Sequence, residues 1–115
     1  MLIRSQDKRM IVNFDNICTV SAFPEKDSED IYVEDGTGSL MVGRYSTKEK
    51  SMKVLDMIQE AYEEYKITCT FLTGFTGHRV IAESNDIHVN GFEELVKNFK
   101  KNMVFQMPAD SEVEV

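Results

Sequence analysis

Tryptophan is absent from this chain, and histidine and cysteine occur twice each. His78 and His88 stand ten residues apart with β-patterned residues between them, and neither lies in a ligand-spaced cluster. There is no CxxC and no HExxH, so no zinc site is expected. Cys18 and Cys69 are far apart in sequence, each inside an apolar, β-patterned run. They read as two buried free thiols, with one disulfide or a redox pair as the alternative. Neither has a cationic or histidine neighbour in sequence, and no GxSxG elbow occurs, so nucleophilic catalysis has no visible constellation. Long apolar runs are missing too: nothing approaches the ~20 residues of a membrane span. The N-terminus offers no apolar core of a signal peptide. A cytoplasmic protein is the expectation.

Positive charge is the other shortage. The chain carries 13 Lys and Arg against 20 Asp and Glu, a net charge of −7. Residues 25–35 hold Glu25, Asp27, Glu29, Asp30, Glu34 and Asp35 against Lys26 alone, a net of −5. Asp110, Glu112 and Glu114 add three more charges near the C-terminus. The remainder is close to neutral. A basic nucleic-acid-binding face is therefore not expected, and a basic partner is permitted. The plain alternative is a solvated loop and tail. The same acidic stretch lacks the alternating carboxylates and distal glutamate of an EF-hand, so no calcium site is expected.

What the chain does contain is periodicity. The 115 residues suit one domain. Residues 2–5 and 9–13 read as strands about a turn at 6–8, and 17–23 as a third strand ended by Pro24. Residues 31–33 and 39–45 follow as two more, about the turn Asp35-Gly36-Thr37-Gly38. Short strands on regular spacing predict an antiparallel meander. The fifth strand runs into the best helix pattern, in which Val54, Leu55, Ile58, Ala61, Tyr62 and Tyr65 form one apolar stripe. Ser46 is the expected N-cap, with Glu49 completing a capping box. Lysines in the first half of this helix and glutamates at its end oppose the helix dipole.

Residues 67–102 read as a β-β-β-α insert. Strands are expected at 67–72, 79–83 and 87–89, then a short helix capped by Asn90 with a Phe92, Leu95, Val96, Phe99 stripe. A last strand at 103–107 ends at Pro108, and 109–115 is expected to be an acidic, flexible tail. The fold class is α+β: an antiparallel β-meander packed against one main helix, with a second short helix and a final strand, as a single domain over 1–108. The expected core is Ile11, Val12, Val20, Val33, Leu40, Val42, Val54, Leu55, Ile58, Phe92, Leu95, Phe99 and Phe105.

Two glycine-bearing loops, at 35–38 and 74–77, complete neither phosphate-binding pattern and lead into no helix, so they read as turns. Phe75, at the tip of the second, suits a partner contact or folds back onto the core. Met52 and Met57 flank the helix stripe and suit an adaptable contact or cover by more sheet.

Three stretches carry a resemblance: Leu2-Ile3-Arg4-Ser5-Gln6-Asp7-Lys8, Val42-Gly43-Arg44-Tyr45-Ser46-Thr47-Lys48-Glu49-Lys50, and Val104-Phe105-Gln106-Met107-Pro108. In them the chain resembles short uncharacterised proteins encoded by Firmicutes and their phages. Those share an IRSQD start, a G-x-Y-x-[ST] strand-to-helix junction and an F-x-MP end. The resemblance implies a prophage or phage-accessory setting and implies no activity.

The reading is thus a small non-enzymatic protein that binds another, basic, host or phage protein. In a phage setting that suggests an inhibitor of a host defence nuclease, of the anti-CRISPR type. The candidate contact residues are Glu29, Asp30, Glu34, Asp35 and Phe75. No cofactor, metal, membrane or direct nucleic-acid contact is expected, and a homodimer is allowed. The alternative is a homo-oligomeric module that holds a small ligand between sheet and helix.

Overall fold

The computed structural model describes residues 1–73, 94, 97 and 100–115. Turn chemistry sets its topology. Ser5 Oγ donates to Asp7 Oδ1 at 2.6 Å, that oxygen accepts the Arg9 amide at 3.0 Å, and Lys8 takes a φ of 65°. The turn joins β1 (Leu2–Arg4) to β2 (Ile11–Asn13) as an antiparallel hairpin. A 3-10 turn at Phe14–Asn16 then takes the chain out of this sheet, with the Phe14 amide donating to Met1 O at 3.0 Å. Three longer strands follow: β3 (Thr19–Pro24), β4 (Glu29–Glu34) and β5 (Ser39–Tyr45). They form a second sheet in the order β3-β4-β5, antiparallel throughout. At the β4–β5 turn, Asp35 Oδ1 accepts from the Thr37 hydroxyl, the Thr37 amide and the Gly38 amide. Gly36 there has φ 92°, where a side chain would be strained.

The meander on one main helix is as expected, but the strands divide between two sheets. β6 (Val104–Gln106) joins the first, parallel to β1 and on the side away from β2.

The main helix, α1, spans Lys48–Thr73. Its cap is Thr47, not Ser46: Thr47 Oγ1 accepts the Lys50 amide at 3.2 Å, which fits an N-cap to the third helical residue. Ser46 is occupied elsewhere, as described below. The expected strand at 67–72 is the end of this helix. Ile67 and Thr68 cost only ~0.5 kcal/mol each relative to alanine in a helix already propagating. Thr68 also returns its hydroxyl to Glu64 O at 2.9 Å. Beyond α1, Glu94, Lys97, Lys100, Lys101 and Asn102 are helical and belong to the expected second helix. Phe75, His78, His88, Phe92, Leu95 and Phe99 lie outside the described residues, as do the expected strands at 79–83 and 87–89.

α1 covers one face of the second sheet. Val54 and Ile58 are buried with Ile31, Val33 and Val42, while Leu55, Ala61, Tyr62 and Tyr65 pack partly buried against them. Met1, Ile3, Tyr45, Met107 and Val113 complete the core. Val12, Val20 and Phe105 are half-buried, as edge positions of short strands. Ile11 and Leu40, expected inside, are 58% and 50% exposed. Ile11 lies on the outermost strand of its sheet, and Leu40 lies beside the β4–β5 turn.

The three stretches that carry the sequence resemblance meet at one junction between the sheets. Gln6 Oε1 accepts the Arg44 amide at 2.8 Å, and Gln6 Nε2 donates to Arg44 O and to Pro108 O. The Tyr45 hydroxyl donates to Pro108 O at 2.8 Å, and the Gln106 amide side chain donates to Ser5 O at 3.0 Å. The Met107 amide donates to Arg4 O, and Tyr45 and Met107 are fully buried. These motif residues hold the two sheets together.

The expected flexible tail is docked. After Pro108 the chain makes a 3-10 turn at Asp110–Glu112 and buries Val113. Asp110 Oδ1 accepts the Ser46 amide at 2.8 Å and its hydroxyl at 3.1 Å, while Lys50 Nζ donates to Asp110 O at 2.8 Å. A carboxylate thus faces the N-terminus of α1, where the helix dipole favours it, and it offsets the lysine that opposes the dipole.

Candidate binding face

With α1 on one side, the second sheet turns its other side outward. Strand alternation assigns Thr19, Ser21 and Phe23 to that side from β3, and Asp30, Tyr32 and Glu34 from β4. On β5 a bulge intervenes. Tyr32 pairs with Met41 while Ile31 pairs with Gly43, so Val42 is the extra residue. Val42 and Gly43 both point inward and are buried. Met41 and Arg44 both reach the outer face.

The centre of this face is apolar and open. Phe23 and Met41 are 52% and 42% exposed. Phe23 stands edge-on to Tyr32, with ring centroids 6.1 Å apart. Phenylalanine, tyrosine, methionine and arginine are the residue types that interfaces concentrate.

Arg44 crosses the sheet to Asp30 as a two-pronged pair. Nε lies 3.0 Å from Oδ1 and Nη2 3.1 Å from Oδ2, and the Ser28 hydroxyl adds a bond of 2.9 Å to Oδ1. Asp30, expected among the partner-binding carboxylates, is therefore fully buried and satisfied inside the protein. Its role is to fix Arg44, whose side chain remains 61% exposed. The Arg44 guanidinium holds the Asp30 carboxyl below the ordinary carboxylate range, against the opposing effect of burial.

The exposed carboxylates lie at the two ends of the β3–β4 pair, where Glu25 accepts a long bond of 3.4 Å from the Tyr32 hydroxyl and Asp35 is tied into its turn. Glu25 and Asp27 occupy the turn at one end, closed by the Glu25 amide donating to Ser28 O. Glu29 beside them is half-buried. Glu34 and Asp35 are exposed at the other end, and Glu34 accepts a long bond of 3.4 Å from Thr19 Oγ1. The acidic residues therefore frame the apolar centre rather than forming one patch. The six residues of β4 separate the two poles by about 20 Å.

The sequence carried one unused signal for this arrangement. Gly43 interrupts a strand pattern, and an isolated glycine there marks a bulge. Shifting the register by one at that point is what sets Arg44 opposite Asp30.

Among the described residues four carboxyls are held low: Asp30 chiefly by Arg44, Asp7 by the Ser5 hydroxyl, Asp35 by the Thr37 hydroxyl and Asp110 by the Ser46 amide. A carboxyl whose folded pKa lies below its unfolded value of about 3.9 stabilises the fold above that pH. The contribution is lost as pH falls through the folded value. Thermal melts are expected to drop steeply below about pH 4. Asp30→Asn is expected to lower the neutral-pH melting temperature and to make the acid limb shallower. An unchanged acid limb would show that the pair with Arg44 contributes nothing.

Elsewhere, Cys18 is exposed and Cys69 half-buried, and no disulfide joins them, so the expected burial holds for neither thiol. Cys18 lies just before β3 rather than within a covered strand. Among the described residues no group of three or more histidine, cysteine or acidic side chains could hold a metal ion, and no helix is long and apolar enough to cross a membrane. No family model, curated protein or solved structure matches the chain.

Proposed function

We propose that this protein is a small, non-enzymatic binding module that engages a basic protein through the outer face of its second sheet. The observation that carries the reading is the open Phe23–Tyr32–Met41–Arg44 surface with carboxylates at both ends. The apolar centre supplies desolvated contact area, and the acidic ends steer a basic surface onto it. In the phage-accessory setting that the sequence resemblance implies, the partner is a host or phage protein with a basic nucleic-acid channel, such as a defence nuclease. An acidic protein can occupy such a channel.

The test is capture from a lysate of a Gram-positive host. The native protein is compared with two variants: one with Glu25, Asp27 and Glu34 changed to their amides, and one combining Phe23→Ala and Met41→Ala. Asp30 and Asp35 are left intact because they belong to the fold. A basic protein retained at low salt, released at high salt and lost with both variants is the expected result. For the purified pair, the amide variant is expected to slow association roughly tenfold or more and to flatten its salt dependence. Capture that is indifferent to salt and to the amide variant would reject the reading.

A further inference from the structure

Among the described residues, the outer edge of β3 carries no partner strand. β3 lies at the end of the second sheet, and β4 is its one neighbour among the described residues. No backbone bond from any described residue reaches its other side. Exposed edges in natural sheets are protected by lysines, bulges, inward charges or very short strands. β3 has none of these: it runs six residues, Thr-Val-Ser-Ala-Phe-Pro, without a charge, and pairs with β4 in unbroken register. Its one guard is Pro24, at the very end.

The surroundings state what kind of strand fits. On the outer face an added strand would lie beside Thr19, Ser21 and the exposed Phe23 ring. On the other face a groove of about 490 Å³ opens beside the start of β3, between the Phe14–Asn16 turn and α1, with Phe14, Ile17, Val20 and Tyr62 in its walls. Side chains of an extended segment alternate between faces, so both surfaces would be used. Carboxylates outnumber cations at each end of the edge: Glu29 pairs with Pro24, and Glu25 and Asp27 flank Lys26 beyond it, while Glu34 pairs with Thr19 and Asp15 lines the groove there together with Lys66. A second copy of this chain would bring like-charged ends together on a protein of net charge −7.

We propose that an extended segment of the basic partner, with a cationic side chain near each end and apolar or β-branched residues between, adds to β3 as the fourth strand of this sheet. Main-chain hydrogen bonds supply the attachment, and the acidic poles together with Phe23 select the sequence. This rests on the binding reading above and specifies how its partner is held.

The probe is an eight-residue peptide of alternating valine and threonine with an arginine at each end. Its twin has the same sequence but carries N-methyl groups on the amides that would face β3. Both are titrated into the full-length protein and followed by backbone amide resonances. The unmodified peptide is expected to shift the amides of residues 19–23 and to bind roughly tenfold or more tightly than its twin, the equivalent of a few net hydrogen bonds. A version with glutamate at both ends is expected not to bind. Equal binding of both arginine peptides, with shifts confined to residues 25–35, would overturn strand addition while leaving the acidic surface as a contact. No shift with either peptide would also overturn it, and the capture with the amide variant then judges the binding reading by itself. Concentration-dependent shifts at residues 19–23 without any peptide would overturn the choice of partner in favour of a second copy.

Discussion

A chain ending at Pro108 is expected to melt about 10 °C below the full-length protein, although the seven residues removed look like a disposable acidic tail. Val113 is 5% exposed and packs in the main core, so its loss alone removes ~1.5–2 kcal/mol of buried side chain. The carboxylate in front of α1 goes with it, leaving the Ser46 amide and Lys50 without the partner they share. Two controls separate these contributions. Removing only Glu114 and Val115 is expected to change nothing measurable, since Val115 is 78% exposed. Asp110→Asn is expected to destabilise less than the truncation and to lose part of the acid sensitivity. A truncated protein with an unchanged melting temperature would refute the docked tail.

Gly43→Ala is the second large effect, expected at about 2 kcal/mol because it overpacks a closed site. A Cβ at Gly43 would sit 3.0 Å from Met107 Cε, 3.0 Å from Tyr45 Cε2 and 3.1 Å from the Tyr45 hydroxyl oxygen. The methionine end can shift, but the Tyr45 ring cannot, being fully buried and tied through its hydroxyl to Pro108 O. Gly43→Val is expected to cost more. Gly38→Ala is the matched control, with nothing within 4 Å of its Cβ position. Urea titration reads both: a lower midpoint at constant slope for Gly43, and an unchanged midpoint for Gly38. Equal midpoints would mean that the junction has slack that its geometry does not suggest.

Both effects concern features only partly legible in the sequence. The helix stripe from Val54 to Tyr65 was legible because six apolar residues at helical spacing have one interpretation. The three strands of the second sheet were legible from their turns, since Asp35-Gly36-Thr37-Gly38 specifies its own hydrogen bonds. The end of α1 was misread because Ile67, Thr68 and Thr70 carry strand preference. A local preference of a few tenths of a kcal/mol yields to a helix that is already nucleated. The division into two sheets was hidden for another reason: β6 pairs with β1, and no local pattern reports a contact between residues so distant.

The acidic stretch was read correctly as exposed at Glu25, Asp27, Glu34 and Asp35 and wrongly at Asp30. What separates Asp30 from its neighbours is Arg44, and that pairing follows from a bulge of one residue. The tail was hidden because its anchor is one valine among charged residues. The three motif stretches at 2–8, 42–50 and 104–108 were legible in the sequence but silent about purpose. Their meeting at Gln6, Tyr45 and Pro108 accounts for them as fold determinants, which explains why they suggest no chemistry.

The parallel pairing of Leu2 with Val104 also governs the order of events in folding. The β1–β2 hairpin is too small to be stable alone, and its third strand must arrive across nearly the whole chain, so closing that loop is the slowest contact to gain. The β3-β4-β5 meander with α1 is local in sequence and is expected to form the nucleus. Substitutions in β6 such as Phe105→Ala should therefore accelerate unfolding and leave the folding rate nearly untouched, whereas those at Val33 or Val54 should slow folding itself. The junction of Gln6, Tyr45 and Pro108 is in this sense a latch. It is expected to be the last contact to close and the first to open, so the lifetime of the native state would be set there.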